Sequence, residues 1–351
     1  MMKKTIFLLV ALSLALFLVV GCGDESVADE PAADEDVDVE VPEDEVITFR
    51  VAGQSPVDNP DTQALYEIAE QVEAESNGRL QMRIYPASQL GDYTAVHEEI
   101  MRGTIEMGLI STSPEHDDRL LIGYMPYIAE DYEKVRELFQ PGSFIYNTYA
   151  DIHNDLNTEF LGFWAEGLGV LGATEMPNDP ANPDADKGIM IRVPPIDGVR
   201  LSVTEQGYRT TSIAYSDLYS ALETGVADGW VGGSELLNYT GFRDVIDYIV
   251  VINNFFEATF FLANQDFWNS LSPEDQAIIR DAVEDKSIMS LELVEEINLE
   301  YRELLREEGV EVIELSQDEI SNIAEQVRER AWPQLEEMIG SDIVQGLMEQ
   351  Y

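Results

Sequence analysis

Residues 47–85 read ITFRVAGQSPVDNPDTQALYEIAEQVEAESNGRLQMRIY, and this stretch decides the fold class. Its first six residues alternate in polarity, which predicts a strand, and the turn-prone residues 53–60 end that strand. Residues 64–75 place apolar side chains at helical spacing, an Asn-Gly pair stops the helix, and residues 80–85 alternate again as a second strand. The chain therefore opens with a β-α-β unit.

Strands and helices keep alternating after this opening. Helices are predicted at 93–102, 132–139 and 144–156, and strands at 107–111, 160–164 and 188–193. Ser272 begins the last long helix as an N-cap with proline at the next position, and the helical pattern then continues to Gly309. Such alternation predicts an α/β fold with parallel-rich sheets, whose ligand crevice lies at the carboxyl ends of the strands. Two lobes of this kind fit the length.

Composition limits the classes of function. The 351 residues include 69 Asp and Glu against 20 Lys and Arg, a formal net charge of −49, with one Cys and three His. A nucleic-acid partner needs a basic footprint, so we predict none. One cysteine excludes a disulfide framework and any Cys-rich zinc or iron–sulfur site. The acid excess, with Arg preferred over Lys, favours a protein exposed to high salt; an acidic surface in ordinary medium is the alternative.

The amino terminus has the features of an export signal. Two lysines precede an apolar run, and the stretch 19–22 reads VVGC, which resembles the lipobox of bacterial lipoproteins. Residues 1–21 are therefore predicted to be a lipoprotein signal peptide, and Cys22 to carry the acyl chains that anchor the chain to a membrane. An uncleaved anchor helix and a plain secretory signal are the alternatives. The predicted location is extracytoplasmic, in a periplasm or on the outer face of the cytoplasmic membrane.

Residues 22–46 are predicted to be a disordered tether that follows the lipidated cysteine. Positions 23–46 hold 12 Asp and Glu, no Lys or Arg and no aromatic residue. Low hydrophobicity with a single sign of charge cannot support a core, so the segment should extend by self-repulsion. The solute-binding body then spans 47–351.

The sequence contains no recognisable catalytic motif. His97, His116 and His153 have no metal-ligand spacing and are predicted to be surface or helix-end residues, and there is neither a nucleophile elbow nor a Gly-rich phosphate loop. Paired carboxylates are too abundant to support a glycosidase. The acidic loop 178–186 offers oxygen ligands for calcium but lacks the order of an EF-hand, and a solvated loop is the alternative. We therefore predict no enzyme, no cofactor and no metal site.

One basic residue stands out, Arg192 in the apolar strand GIMIRVPP at 188–195. Burying an unpaired guanidinium costs several kcal/mol, so an arginine in such a strand needs a carboxylate partner. That partner is either a structural acid of the protein or a ligand. The strand ends at a proline pair, where a ligand crevice is expected.

Three blocks of sequence around this strand resemble one family. The first contains GRL at 78–80, YPASQLG at 85–91 and RGTIEM at 102–107, the second is IRVP at 191–194, and the third is DLYSALETGVADG at 217–229. In order and spacing they resemble the DctP-type solute-binding proteins of tripartite ATP-independent periplasmic (TRAP) transporters. The likeness covers 78–229, and 271–309 is also similar.

The resemblance implies a two-lobed, periplasmic-binding-protein-like fold with crossing strands and a long bracing helix. Lobe I would take roughly 47–165 and lobe II roughly 166–254, each with part of 255–351. The lobes would close around a small organic acid and deliver it to a pair of membrane permease subunits. In the family the arginine of the second block clamps the ligand carboxylate, which assigns that role to Arg192; its planar fork matches a carboxylate bidentately.

Departures from the family pattern bear on the ligand. Gly169 stands where members that bind sialic acid or dicarboxylates often carry a second arginine, and Trp230 follows the Asp-Gly pair. We expect a monocarboxylate or a zwitterion against an apolar wall of Trp230; a compatible solute such as ectoine and hydroxy or keto monocarboxylates are open alternatives. The other side chains expected to line the cleft are Glu235, Asn238 and Tyr239, for an amine, hydroxyl or cation, and the strand-end residues Gln54, Thr112, Trp164 and Glu166.

Two other functions fit the same sequence. A sensory binding protein would use the cleft to present its ligand to a membrane receptor, and a secreted hydrolase would use paired acids. A neighbouring permease or receptor distinguishes transport from sensing, and turnover of a bound ligand identifies a hydrolase.

Overall fold

The computed structural model describes residues 46–351. The predicted signal peptide (1–21), the lipidation site Cys22 and the tether (22–46) lie outside these residues, apart from Val46. Within the described part of the chain, no helix is both long enough and apolar enough to cross a membrane.

Strands and helices alternate along most of the described chain, as the sequence predicts. In chain order they are β1 (Ile47–Gly53), α1 (Pro60–Glu75), β2 (Leu80–Tyr85), α2 (Tyr93–Met101), β3 (Met107–Ile110), a 3₁₀ helix (Asp118–Tyr124), α3 (Tyr132–Phe139), α4 (Phe144–Asp155), β4 (Thr158–Leu168), β5 (Val170–Ala173), β6 (Met190–Val193), α5 (Asp197–Glu205), β7 (Arg209–Ser212), a 3₁₀ turn (Tyr215–Asp217), α6 (Leu218–Glu223), β8 (Gly229–Gly233), α7 (Glu235–Phe242), β9 (Tyr248–Val251), β10 (Phe256–Asn264), α8 (Gln265–Ser270), α9 (Pro273–Glu307), β11 (Glu311–Glu314), α10 (Gln317–Ile339) and α11 (Ser341–Met348).

The first sheet has the strand order β2-β1-β3-β10-β4. Strand β1 runs parallel to both β2 and β3, whereas β10 runs antiparallel to β3 and β4. One face packs on α1 and α9, where the apolar spacing read from the sequence becomes a core of Leu65, Ile68 and Val72 against Phe49 and Val51. Parallel strands β1 and β3 therefore end at the same edge of the sheet.

The second sheet has the order β11-β9-β5-β8-β6-β7. Strand β6, which carries Arg192, is flanked by β7 and β8, both parallel to it. Strand β5 runs antiparallel to β8 and β9. Strand β6 is thus an interior strand of the sheet, between β8 and β7.

Two chain segments cross from one sheet to the other. Strand β4 of the first sheet continues through Gly169 into β5 of the second, and β9 returns to β10. The two crossings are joined by backbone hydrogen bonds, from Gly169 N to Phe255 O at 2.8 Å and from Asn254 N to Gly169 O at 3.4 Å.

Helix α9 spans both sheets and begins as the sequence predicts. The Ser272 hydroxyl accepts from the backbone N–H of Asp275 at the N-cap, and the helix runs for 35 residues. It packs on α1 and β4 beside the first sheet and on α7 beside the second. These features confirm the predicted α/β fold with crossing strands and a long bracing helix.

Candidate functional site

A cavity lies between the two sheets, at the carboxyl ends of β1, β3 and β6. The space inside it, counted together with open solvent, is about 520 Å³. Both sheets supply its walls. The lining residues are Gln54, Ser55, Tyr93, Ser111, Tyr124, Glu166, Arg192, Pro194, Ile196, Tyr215, Gly232, Leu237 and Glu257.

Arg192 is the only Lys or Arg among the side chains that line this cavity. It is 2% exposed, and its Nε donates to the carbonyl of Ile213 at 2.8 Å. Its buried Nη2 has no hydrogen-bond partner among the described residues. Burial lowers the pKa of Arg192 to about 10, so the guanidinium stays charged at neutral pH. A charged donor of this kind, free on one side, can bind an anionic group that enters the cavity.

Two carboxyl groups face the cavity from the antiparallel strands β4 and β10. Glu257 pairs with Gly167, and the next residue of β10, Ala258, pairs with Ala165. Glu166 is therefore the extra residue of a β-bulge, a device that redirects a side chain. Its Oε1 accepts from the Thr259 hydroxyl at 3.4 Å.

The carboxyl groups of the cavity have raised pKa values. Burial raises the pKa of Glu257 to about 8, although the charge of Arg192 opposes the rise. Burial, together with the charges of Asp61 and Glu257, raises the pKa of Glu166 well above its ordinary value. Asp61 lies on α1 behind the lining residues, and burial raises its pKa to about 6, opposed by a hydrogen bond from Ser55. The site thus groups three buried acids, and one of them, Glu257, interacts with the charge of Arg192.

Two hydrogen bonds between Gln54 and Ser111 fix the wall contributed by the first sheet. The Oε1 of Gln54 accepts from the backbone N–H of Ser111 at 2.7 Å, and its Nε2 donates to the Ser111 hydroxyl at 3.0 Å. Gln54 therefore ties the end of β1 to the end of β3. Three tyrosines, Tyr93, Tyr124 and Tyr215, add aromatic surface with hydroxyl groups to the cavity.

Of the nine residues that the sequence analysis places in the cleft, the structure brings Arg192, Gln54 and Glu166 together in the cavity. Trp230 does not line it, because its indole is fully buried in the core of the second sheet. The Trp230 Nε1 donates to Asn238 Oδ1 at 2.9 Å, and Asn238 Nδ2 donates to the carbonyl of Ser234 at 2.9 Å. The hydrogen bond between Trp230 and Asn238 therefore connects β8 of the second sheet to α7.

Glu235 and Tyr239 also lie away from the cavity. The Glu235 carboxylate is buried against Arg302 of α9, with Nη2 to Oε1 at 2.5 Å. The ring of Tyr239 packs on Tyr301, with centroids 5.4 Å apart, and under the guanidinium of Arg243. Both side chains connect α7 to its surroundings.

Neither Thr112 nor Trp164 lines the cavity. Thr112 follows the lining residue Ser111, and its hydroxyl is buried without a hydrogen-bond partner among the described residues. Trp164 points into the core that β4 shares with α1 and α9, beside Leu161. It is two residues before the bulge at Glu166, where the strand changes its direction.

Glu257 and the three tyrosines line the cavity but are not among the residues predicted from the sequence. Glu257 carries the same signal that singled out Arg192, because it is the only ionisable residue of the largely apolar strand FEATFFLAN. The tyrosines carry no such signal, since they lie on α2 and in two 3₁₀ segments whose positions depend on the tertiary fold.

The three histidines come together, which their sequence spacing does not indicate. The ring centroid of His97 lies 5.2 Å from that of His116 and 5.6 Å from that of His153. His97 is fully buried within α2, so the expectation of a surface or helix-end position is wrong for it. Burial lowers the pKa of His97 to about 4. Among residues 46–351, no group of His, Cys, Asp and Glu is arranged to hold a metal ion.

The acidic loop 178–186 folds around a lysine of the same chain. The Lys187 side chain is fully buried, and its ammonium donates to the carbonyl oxygens of Asp179, at 2.6 Å, and Asn182. Two backbone oxygens of this loop are therefore bound to an internal cation.

Comparison with known proteins places this architecture in a family. The model of bacterial extracellular solute-binding protein family 7 (DctP) matches residues 51–337. The ectoine-binding periplasmic protein TeaA of Halomonas elongata is 26% identical over 290 residues, 79% of this chain and 80% of that protein. The sialic acid-binding periplasmic protein SiaP of Vibrio cholerae is 22% identical over 271 residues, 76% and 82% of the two chains.

A solved structure shares the fold. The sugar acid binding protein DctPAm of Advenella mimigardefordensis, in complex with galactonate, superimposes with a TM-score of 0.79 at 21% identity, over 87% of this chain and 98% of that one. These relatives are binding proteins rather than enzymes, which agrees with the sequence prediction. The chain belongs to bacterial extracellular solute-binding protein family 7, the DctP family of TRAP-type solute-binding proteins.

Proposed function

We propose that this protein captures a small organic acid, a monocarboxylate or a zwitterion, and that Arg192 clamps the carboxylate of that ligand. The observation that carries the proposal is the buried, unpartnered Nη2 of Arg192 in the wall of the cavity. No described carboxylate lies within ion-pair distance of the guanidinium. A ligand carboxylate would supply the partner that burial of this charge requires.

The relatives support an acidic ligand. The named ligands of the three similar proteins, ectoine, sialic acid and galactonate, each contain a carboxyl group. Gly169, at the position expected of a second arginine, packs against Asn254 and Phe255 at the strand crossing and does not line the cavity. With one arginine in the wall, a single carboxylate is the better match in charge.

The same geometry supports a closing mechanism. Arg192 belongs to the second sheet, whereas Gln54 and Ser111 belong to the first. We propose that lobe I, roughly 47–165, and lobe II, roughly 166–254, each with part of 255–351, close on the ligand. A ligand that contacts both lobes favours the closed arrangement by its difference in affinity for the two states. The closed form would then deliver the solute to the membrane subunits of a TRAP transporter.

The cellular setting is part of the proposal. We propose that residues 1–21 are a signal peptide and that acylated Cys22 anchors the protein through the acidic segment 22–46. The excess of acidic residues, 69 against 20 basic ones, favours operation at high salt, where close screening reduces self-repulsion.

A thermal-shift panel tests the clamp. Residues 47–351 are mixed at high salt with carboxylates, amino acids and ectoines, and the hits are titrated by calorimetry for wild type and Arg192→Gln. Loss of one partner of a desolvated charge pair costs about 2 to 5 kcal/mol, so the affinity should fall roughly 30-fold to several thousand-fold.

A matched control separates the clamp from a general charge effect. Arg209→Gln removes a more exposed guanidinium from the neighbouring strand β7, where it donates to the carbonyl of Gly188. We expect this variant to bind its ligand as wild type does. Unchanged affinity in Arg192→Gln would contradict the clamp, and a panel without any acidic ligand would contradict the proposed function.

A further inference from the structure

The cavity contains more acidic groups than basic ones. Arg192 is the one guanidinium or ammonium among the lining residues, while Glu166 and Glu257 line the same space and Asp61 lies behind them. A ligand carboxylate that pairs with Arg192 would remove the one positive charge facing these acids. Buried carboxylates without a partner are costly, so beside a simple anion the two glutamates stay protonated, whereas a cationic group would stabilise the ionised form of one of them.

The two glutamates have spare hydrogen-bonding capacity. Glu166 accepts one long bond, from Thr259 at 3.4 Å. Neither oxygen of Glu257 takes part in a hydrogen bond or ion pair among the described residues, although this side chain is only 7% exposed. Their acceptor oxygens therefore face a cavity in which the protein supplies few donors.

The position of Glu166 is built into the fold. It is the extra residue of the bulge in β4, and its carbonyl accepts from Asn298 Nδ2 of α9 at 2.9 Å. The next residue, Gly167, has φ +134°, and an added Cβ there would lie 2.5 Å from Asn298 Nδ2. A helix side chain thus packs against the irregular backbone that turns this acid towards the cavity.

The cavity also contains aromatic rings. Tyr93, Tyr124 and Tyr215 line it together with the two glutamates. Aromatic rings attract cations through their quadrupole, and quaternary ammonium groups are bound in this way. Carboxylates and tyrosines in one enclosed space favour a cationic group as the second contact.

We propose that the ligand is a zwitterion, whose carboxylate pairs with Arg192 and whose cationic nitrogen lies against Glu166 and Glu257. The inference rests on the proposed function and names the ligand class of the same site. A zwitterion fits this set of groups because its two charges meet opposite charges on the two sides of the cavity. An acid with a neutral body satisfies the arginine only.

Binding of the cation requires an ionised glutamate, which links affinity to pH. Burial raises the pKa of Glu257 to about 8, so at pH 7 the cation displaces a proton and affinity should rise between pH 7 and 9. Six other titratable or charged groups interact electrostatically with the two glutamates. They are Asp61 on α1, Tyr93 on α2, Tyr124 and Tyr215 in the 3₁₀ segments, Tyr149 on α4 and Arg192 on β6.

Matched ligand pairs test the proposal. Glycine betaine and 3,3-dimethylbutyrate have nearly the same shape and differ in the charge of the bulky end, and proline and cyclopentanecarboxylate form a second pair. Calorimetry on residues 47–351 at high salt should give at least about 30-fold tighter binding of the zwitterion in a pair. Because the trimethylammonio group does not titrate, a betaine affinity that rises from pH 7 to 9 reports on the protein.

Variants assign the preference to the glutamates. Glu257→Gln and Glu166→Gln keep the side-chain shape, and each should reduce the preference within a pair, whereas Glu159→Gln, on β4 but paired with Arg280 outside the cavity, should retain it. Uncharged acids that bind as tightly as their zwitterionic partners, or a preference that survives both cavity variants, would overturn the inference.

The design separates this inference from the clamp. If Arg192→Gln abolishes binding of both members of a pair and wild type does not discriminate between them, the clamp holds and the zwitterion inference fails. If no pair binds, mass spectrometry of the purified protein identifies the co-purified solute. A solute with a cationic nitrogen would support the inference, and an acid without one would overturn it. If no acid binds or co-purifies, the proposed function fails and this inference with it.

Discussion

Replacing Arg192 by methionine should leave the ligand-free protein as stable as wild type or more stable. Methionine fills a similar length of the cavity wall without a charge. Burial lowers the pKa of Arg192 to about 10, which corresponds to about 3 kcal/mol against the charged form in the folded state. The substitution also removes the bond from Nε to the carbonyl of Ile213, and an unsatisfied carbonyl costs about 1 to 3 kcal/mol. The net change is between zero and a gain of about 2 kcal/mol.

Urea denaturation at pH 7 without ligand measures this free energy of unfolding, with an unchanged m-value as the check that unfolding stays comparable. Lys187→Met is the matched control, because it removes a second buried cation whose ammonium donates to the carbonyls of Asp179 and Asn182. Hydrogen bonds to charged groups contribute about 1.5 to 3 kcal/mol each, so this variant should lose stability. Arg192→Met losing as much as Lys187→Met would refute the reasoning and make Arg192 a structural group.

Three further substitutions and one metal addition test the electrostatics. Arg302→Met should destabilise the fold by about 3 to 5 kcal/mol in urea, since it leaves the Glu235 carboxylate buried alone; a loss below 1 kcal/mol would contradict this. Burial raises the pKa of Glu257 to about 8, so this group contributes fully to the free energy of unfolding below pH 4.5, and the contribution is lost as the pH rises to 8. Glu257→Gln should make this decline less steep when the free energy of unfolding is measured by denaturation at several pH values. Burial lowers the pKa of His97 to about 4, so the free energy of unfolding should fall as the pH drops from 6.5 towards 4. The fall should be less steep in His97→Asn, and parallel curves of free energy against pH for this variant and wild type would contradict the prediction. Millimolar calcium should leave the melting temperature unchanged, because the Lys187 ammonium holds the loop oxygens.

Local patterns predict the elements of this protein well. The strand at 47–53 and the helix that starts after Ser272 follow from alternation and from capping chemistry that acts over a few residues. The crossing strands and the two-lobed arrangement follow from the family resemblance rather than from these patterns. Local signals suffice where a structure depends on neighbours in the chain.

The site is less predictable because its residues meet through the tertiary fold. Arg192 stands out as a charge in an apolar strand, and Glu257 carries the same signal in β10. The place of Trp230 after the Asp-Gly pair predicts a position in the cavity wall, yet its indole lies in the core of the second sheet and its N–H donates to Asn238 of α7. Whether a side chain at a strand end faces the cavity depends on bulges and packed helices, which the spacing of residues does not encode.

Helix α9 links the bracing of the fold to the geometry of the site. Asn298 donates to the carbonyl of Glu166 in β4 at 2.9 Å and accepts from the backbone N–H of Leu236 in α7 at 3.2 Å. One side chain therefore touches the bulge beside the first sheet and the start of a helix that packs on the second. The proposed closing motion would either pivot near Asn298 or break these two hydrogen bonds. Since both are buried, breaking them would cost about 1 to 3 kcal/mol for each group left unsatisfied. The proposed closing motion is therefore expected to pivot near Asn298 and to keep both hydrogen bonds.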